Sequence, residues 1–128
     1  MSATGTLQTA VDREAGLTEF TVTGAVPAEV LLQAVRDFYA GEPTHLVLWD
    51  LREADLSALE SDDVRLVVEA TEPAAATRPG GLTAMVFSQD AGYGLGRMFE
   101  ILQGLRDPSV RRRSFRDLDE ARRWLGLE

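Results

Sequence analysis

Apolar and polar residues change rhythm several times along this chain. Thr6-Leu7-Gln8-Thr9-Ala10-Val11 and Leu17-Thr18-Glu19-Phe20-Thr21-Val22 alternate at period two on either side of Asp12-Arg13-Glu14-Ala15-Gly16. That alternation predicts an antiparallel pair with one half-buried face, its first member an edge strand. Pro27 suits a first helical position, and Val30, Ala34 and Phe38 with Leu31, Val35 and Tyr39 recur at helical spacing until Gly41, so a helix with one apolar stripe follows. Leu46-Val47-Leu48-Trp49 is then wholly apolar and breaks into charge at Asp50-Leu51-Arg52. This run predicts a strand over Leu46–Asp50 buried on both faces, as in a mostly parallel sheet covered by helices.

A second helix is expected to start between Ser57 and Ser61. Ser57 with Glu60 fits a capping box, Asp62 and Asp63 suit the positive end of the helix dipole, Val64, Val67 and Val68 supply a buried face, and Pro73 ends it. Thr71–Gly81 reads as a loop rich in Pro, Ala and Gly, and Leu82–Phe87 as another apolar strand. Asp90 can cap a third helix with the stripe Leu95, Met98, Phe99, Leu102 and Leu105, closed by Asp107-Pro108. Val110–Arg116 is a charged last strand, and Asp117 with Glu120 opens a last helix that turns Leu118, Ala121, Trp124 and Leu125 inward. With right-handed crossovers the last four strands are parallel. The expectation is one α/β domain over residues 1–128, a mostly parallel sheet of about five strands with an antiparallel first strand and four helices.

Composition narrows the chemistry. The 128 residues include no cysteine, and all 13 basic residues are arginine. Disulfides, thiolate metal sites and lysine Schiff bases are thereby excluded. Net charge is −8, the wrong sign for a nucleic-acid binder. The charge is uneven: residues 1–96 carry five arginines against fifteen acids, a net −10, and residues 97–128 eight against six, a net +2. Arg111-Arg112-Arg113 with Arg116 reads as a solvated edge strand whose charge discourages pairing. Neither a secretory signal nor a membrane span is apparent, so the expected location is cytoplasmic.

Ligands of open α/β sheets meet the carboxyl ends of the parallel strands, which directs attention to Asp50–Glu60, Ser88–Gly96, Gly24–Ala25 and Asp117. Asp50 sits where a catalytic acid or a Mg²⁺ ligand could sit, but no ligands converge from other elements in the sequence. Gly92-Tyr93-Gly94-Leu95-Gly96-Arg97 opens a helix after an apolar strand and could hold an anion. Its spacing is not the dinucleotide fingerprint, and small residues there also let a helix approach a sheet. His45, the one histidine, begins a strand, the end of a parallel sheet that rarely carries chemistry, so a Ser-His-Asp arrangement is not expected. No catalytic residue, metal or cofactor is assigned.

Leu48-Trp49-Asp50-Leu51-Arg52, Tyr93-Gly94-Leu95-Gly96-Arg97-Met98-Phe99 and Phe115-Arg116-Asp117-Leu118-Asp119-Glu120-Ala121-Arg122-Arg123-Trp124-Leu125 resemble the small bacterial SpoIIAA-like proteins of the STAS/CRAL-TRIO type. The resemblance spans about Thr6 to Leu125. It implies a singly wound βα superhelix, shared by anti-sigma factor antagonists and CRAL-TRIO lipid-transfer domains. In the antagonists a strand ending in Asp-Leu-Ser precedes an Asp-Ser-Ser-Gly stretch whose serine is phosphorylated. Asp50-Leu51 matches the strand end, Leu59-Glu60-Ser61-Asp62 lacks the second stretch, and Ser57 and Ser61 are the nearest candidate phosphosites. The first functional expectation is a non-enzymatic regulatory module that docks a partner protein through the strand-end loops and the start of the second helix. Its surface would comprise Asp50, Arg52, Asp55, Ser57, Ser61, Tyr93, Gly94 and Arg97. The alternative is a carrier or sensor of an apolar or anionic ligand held near Trp49, Tyr93, Met98 and Phe99, which would need a cavity of about 300–1,000 Å³. An enzyme using Asp50 ranks last. A homodimer through the first strand or a helix face is left open.

Overall fold

The computed structural model describes residues 5–71, 77–106 and 109–127. Five strands form one sheet in spatial order β1 (Thr6–Asp12), β2 (Leu17–Gly24), β3 (Leu46–Ala54), β4 (Leu82–Phe87) and β5 (Arg111–Phe115). β1 is antiparallel to β2, and the remaining neighbours are parallel. Four helices are found among the described residues: α1 (Ala28–Ala40), α2 (Ser61–Ala70), α3 (Asp90–Arg106) and α4 (Leu118–Trp124). Each of the first three crossovers steps one strand over in the same direction. Right-handedness therefore brings α1, α2 and α3 to one face of the sheet, where they enclose Phe20, Val47, Trp49, Met85 and Phe87. α4 lies on the other face, with Ala121 and Leu125 on Leu17, Leu48, Ala84, Val86 and Phe115.

β3 is the central strand. Val47 and Leu48, on opposite faces, are both almost fully buried, as its continuous apolar run requires. The strand does not end at Asp50 as expected but continues to Ala54. The seven-residue α4 covers its face of β3 only as far as Leu48, and beyond it Asp50 and Arg52 occupy the same face in contact with water. The break into charge therefore marks the edge of a helix footprint, not the end of a strand. Arg122 of α4 reaches Glu19 of β2 at 3.2 Å along the border of that footprint.

Local corrections have physical causes. Pro27 is the N-cap of α1 and not its first helical residue. Ser57 does not cap α2, because its hydroxyl donates to Asp55 Oδ1 at 2.6 Å. Glu60 is the N-cap instead, and its N–H is accepted by Asp63 Oδ2 at 2.9 Å. Asp117 does cap α4, accepting the Asp119 N–H. In α3 the innermost positions are Gly92, Gly96 and Gln103, with Phe99 half-buried. Ile101 and Leu105, which a purely apolar inner stripe would bury or border, are 59% and 81% exposed. Two glycines let the helix lie close to the sheet, and the Gln103 amide donates to the Val68 carbonyl at the end of α2 at 3.0 Å. A polar side chain thus takes an inward position because its amide finds a buried carbonyl acceptor there, one that the Thr71 hydroxyl also bonds. The expected stops at Pro73 and Asp107-Pro108 lie outside the described residues.

The amino end of the sheet is closed by Arg78, which is 2% exposed. Its Nε donates to the Thr44 carbonyl at 2.8 Å, one terminal nitrogen to the carbonyls of His45 and Leu82 at 3.0 Å each, and the other to the Tyr39 hydroxyl at 3.1 Å. The guanidinium also stands over the Phe38 ring, 5.6 Å from its centroid. Among the described residues no carboxylate pairs with it. Carbonyl dipoles and an aromatic face carry the charge. We expect Arg78→Leu to lower stability by about 3 kcal/mol in urea unfolding, since three carbonyls and a hydroxyl lose their donor. Leu105→Ala, at an exposed apolar position, should change it by less than about 0.5 kcal/mol.

Candidate functional site

The carboxyl ends of the parallel strands carry a surface built from three loops. After Ala54 the chain turns at Asp55, whose N–H donates to the Gly24 carbonyl at 2.9 Å. Asp55 Oδ1 then accepts both the N–H and the hydroxyl of Ser57, at 3.1 and 2.6 Å. The Ser57 hydroxyl, with its N–H, holds the Asp55 carboxyl below the usual carboxylate range. Leu56 turns inward towards Gly92 at the start of α3, where a Cβ would lie 3.2 Å from Leu56 Cδ1 and 3.0 Å from Phe87 Cδ1. This contact brings the β3–α2 loop against the first turn of α3. On the neighbouring strand end the Ser88 hydroxyl donates to the Arg52 carbonyl at 2.6 Å. Arg116, just beyond β5, pairs with Asp90 and stands 4.9 Å from the centroid of the Tyr93 ring.

Of the expected surface residues, Asp55, Ser57, Ser61 and Tyr93 are thus placed at one end of the sheet. Ser61 is the first residue of α2 and is exposed. Asp50 and Arg52 point instead across the open face that α4 leaves uncovered. There they form a two-bond pair, Nε to Oδ1 and a terminal nitrogen to Oδ2, both at 2.9 Å. Arg52 holds the Asp50 carboxyl below its ordinary value, outweighing the partial burial that pushes it up. A carboxylate neutralised in this way is a poor general base. Arg97 pairs with Glu100 at 3.1 Å, so it is directed along α3 and away from the helix start.

The glycines of α3 divide by role. A Cβ on Gly96 would fall 2.4 Å from Phe87 Cε2 and 2.5 Å from Ser114 Oγ, whereas one on Gly94 would meet nothing within 4 Å. Gly92 and Gly96 therefore serve close packing. The first turn that an anion would need already carries the Asp90 carboxylate. No group of three His, Cys, Asp or Glu side chains among the described residues is placed to hold a metal. No helix among them is long and apolar enough to cross a membrane.

Between the sheet and α1, α2 and α3 lies an apolar cavity of about 130 Å³. Among the described residues Trp49 and Phe99 line it, and Tyr93 and Met98 do not. Trp49 is stacked on Phe20 with ring centroids 4.2 Å apart. The volume is well below the roughly 300–1,000 Å³ of ordinary ligand sites, which counts against a lipid held in this cavity. Sequence reading missed Arg78 and Arg116 as site groups, and reached Ser88 and Asp90 only as part of the Ser88–Gly96 stretch. Asp90 was read as a cap and Arg116 as part of a charge run, and only the sheet order brings them together over Tyr93.

No protein-family model matches the chain, and no curated protein matches it. Solved structures do. An anti-sigma factor antagonist from Mycobacterium paratuberculosis superposes with a TM-score of 0.64 at 17% identity, over 95% of this chain and 94% of that one. An uncharacterized DUF3478-family protein with a SpoIIAA-like fold from Shewanella loihica PV-4 superposes with a TM-score of 0.59 at 16% identity, over 98% of each chain. The chain has the SpoIIAA-like fold. Within this fold the surface at Asp55–Ser61 and Ser88–Tyr93 lies where open α/β sheets present their binding groups.

Gly96→Ala is expected to cost about 2 kcal/mol or more through overpacking against Phe87 and Ser114. Gly94→Ala should stabilise by about 0.5–1 kcal/mol; thermal melts of the two variants compare them directly. The lowered Asp50 value fixes a pH dependence. Its contribution is present above the unfolded carboxyl value of about 3.9 and is lost as pH falls through the folded value. Urea unfolding at pH 7 and near pH 3 should therefore show a smaller acid loss for Asp50→Asn than for the natural chain.

Proposed function

We infer that this chain is a non-enzymatic regulatory module that docks a partner protein on the carboxyl-end surface, from the Asp55–Glu60 loop and first turn of α2 to the first turn of α3. The observation that carries this reading is the Leu56–Gly92 contact, which joins two loops from different crossovers into one exposed hydrogen-bonding surface. Asp55, Ser57, Ser61, Asp62, Ser88 and Asp90 are all exposed there. Their acidic balance suits a partner that presents basic groups. The same fold in an anti-sigma factor antagonist supports a regulatory, protein-binding role. The pairing of Asp50 with Arg52 speaks against acid–base chemistry at that carboxylate.

Ser57 and Ser61 are the candidate phosphosites on this surface, where Ser88 is exposed as well. The carboxylates of Asp55, Asp62 and Asp63 raise the electrostatic cost of a phosphate at either. Docking in this reading therefore does not depend on modification.

A photo-crosslinking residue at Ser57 or Tyr93, introduced into the full chain in its own host, should give one protein adduct of defined mass. The same residue at Gln33, exposed on α1, should not. No adduct at either position, or an equal adduct from Gln33, would contradict the reading. Tyr93→Ala, which removes the ring under Arg116, is expected to weaken the complex by roughly tenfold.

A further inference from the structure

The two edges of the sheet are protected very differently. β5 exposes Arg111 and Arg113 and carries Arg112 between them, a row of like charge that resists pairing with another strand. β1 has no such device. Of Thr6–Asp12 every residue but Leu7 is exposed, and Asp12 is the only charge. It has no proline, and its register with β2 is unbroken. An edge strand of seven residues with a single charge, at its end, is a template for another strand.

The hydrogen-bonding parity of β1 is fixed by its neighbours. Leu46 N–H donates to the Gly16 carbonyl at 2.9 Å, so the even-numbered positions of β2 face β3 and the odd ones face β1. Leu17, Glu19, Thr21 and Thr23 stand opposite Asp12, Ala10, Gln8 and Thr6. Those even-numbered β1 residues therefore bond to β2. Leu7, Thr9 and Val11 turn their N–H and C=O groups to the open edge.

We propose that β1 is a self-association surface whose occupant is β1 of a second copy, paired antiparallel about Thr9 to make a continuous sheet across a two-fold axis. In that register Thr9 meets Thr9, and Leu7 meets Val11 of the partner. These are the positions whose N–H and C=O groups point away from β2, so each exchanges both bonds. On the same face the seam carries apolar Leu–Val pairs on either side of a Thr–Thr pair, combinations that favour antiparallel pairing. Gln8 falls opposite Ala10 and Asp12 opposite Thr6, so no like charges meet. A two-fold contact requires one strand to be complementary to itself, and about Thr9 the symmetric pairs Leu7 with Val11, Thr9 with Thr9, Gln8 with Ala10 and Thr6 with Asp12 set no like charges together. An extended peptide from another protein would need no such symmetry.

Sedimentation equilibrium of the full chain tests the proposal with two variants. Val11→Lys changes an exposed residue and sets a charge opposite Leu7. Thr9→Pro removes an N–H that the β1–β2 ladder does not use, a position where edge strands tolerate proline. The natural chain should form dimers, and each variant should weaken them by roughly tenfold or more. Amide exchange adds a signature specific to this register: Gln8 and Ala10 protected at every concentration, Leu7, Thr9 and Val11 gaining protection only as dimer forms. A natural chain that stays monomeric at high protein concentration overturns the proposal. So does a dimer unmoved by Val11→Lys, or one in which the Leu7, Thr9 and Val11 amides gain no protection.

Discussion

The structure depends on a buried cation that carbonyls and a hydroxyl hold and that no carboxylate of the described residues pairs with. Arg78 comes from the segment between α2 and β4, and its donors go to the carbonyls of Thr44, His45 and Leu82 and to the Tyr39 hydroxyl. These groups belong to the end of α1 and to the amino ends of β3 and β4. One planar fork therefore fixes where two central strands begin and where the first crossover helix ends. Arginine suits this role because its five donors sit in a rigid geometry and its charge is weakly hydrated. The interaction differs in kind from the Asp50–Arg52 pair, which is close in geometry but lies in contact with water and is worth little by itself.

With the amino end closed in this way, the two faces of β3 set the rest. One face must accept three helices, and α3 comes near enough only because Gly92 and Gly96 have no side chain to meet Phe87 and Ser114. The other face receives the short α4, which buries Leu48 and leaves Asp50 to find its own partner. The carboxyl end carries no comparable lock. Its loops are held by turns internal to each, such as Asp55 with Ser57, and by single contacts between them: Asp55 N–H on the Gly24 carbonyl, the Ser88 hydroxyl on the Arg52 carbonyl, Arg116 on Asp90, and Leu56 on Gly92. A rigid scaffold with one end closed and the other carrying exposed polar loops is the usual division between stability and binding in open α/β sheets.

Much of this was legible in the sequence. Period-two alternation around Asp12–Gly16 and the apolar runs at Leu46 and Leu82 identify the strands, and the stripe from Val30 to Tyr39 identifies α1. That the last four strands are parallel was also expected, whereas their spatial order is seen only in the structure. What could not be read were features set by packing between distant segments. Asp50 looked like a strand end because nothing local reveals how far α4 extends over the sheet. The inner face of α3 was misplaced because Gly96 and Gln103 are buried for reasons other than hydrophobicity, one to admit Phe87 and the other to bond Val68. Ser57 fits a helix cap in pattern, but Asp55 two residues earlier captures its hydroxyl. Arg78 had no local signal, since its partners are Tyr39, Thr44, His45 and Leu82.

For the candidate site, the sequence pointed to the carboxyl end of the sheet, and the structure brings Asp55, Ser57, Ser61 and Tyr93 to that end. Asp90 and Arg116 joined only through the adjacency of β4 and β5. The resulting account is of a SpoIIAA-like scaffold for which we propose docking on the Asp55–Ser61 and Ser88–Tyr93 surface. Amide hydrogen exchange of the full chain, alone and in the complex recovered from its own host, tests this most directly. The account predicts slowed exchange confined to residues 55–61 and 88–93. Protection falling on α4 and the open face around Asp50, with those loops unchanged, would contradict it.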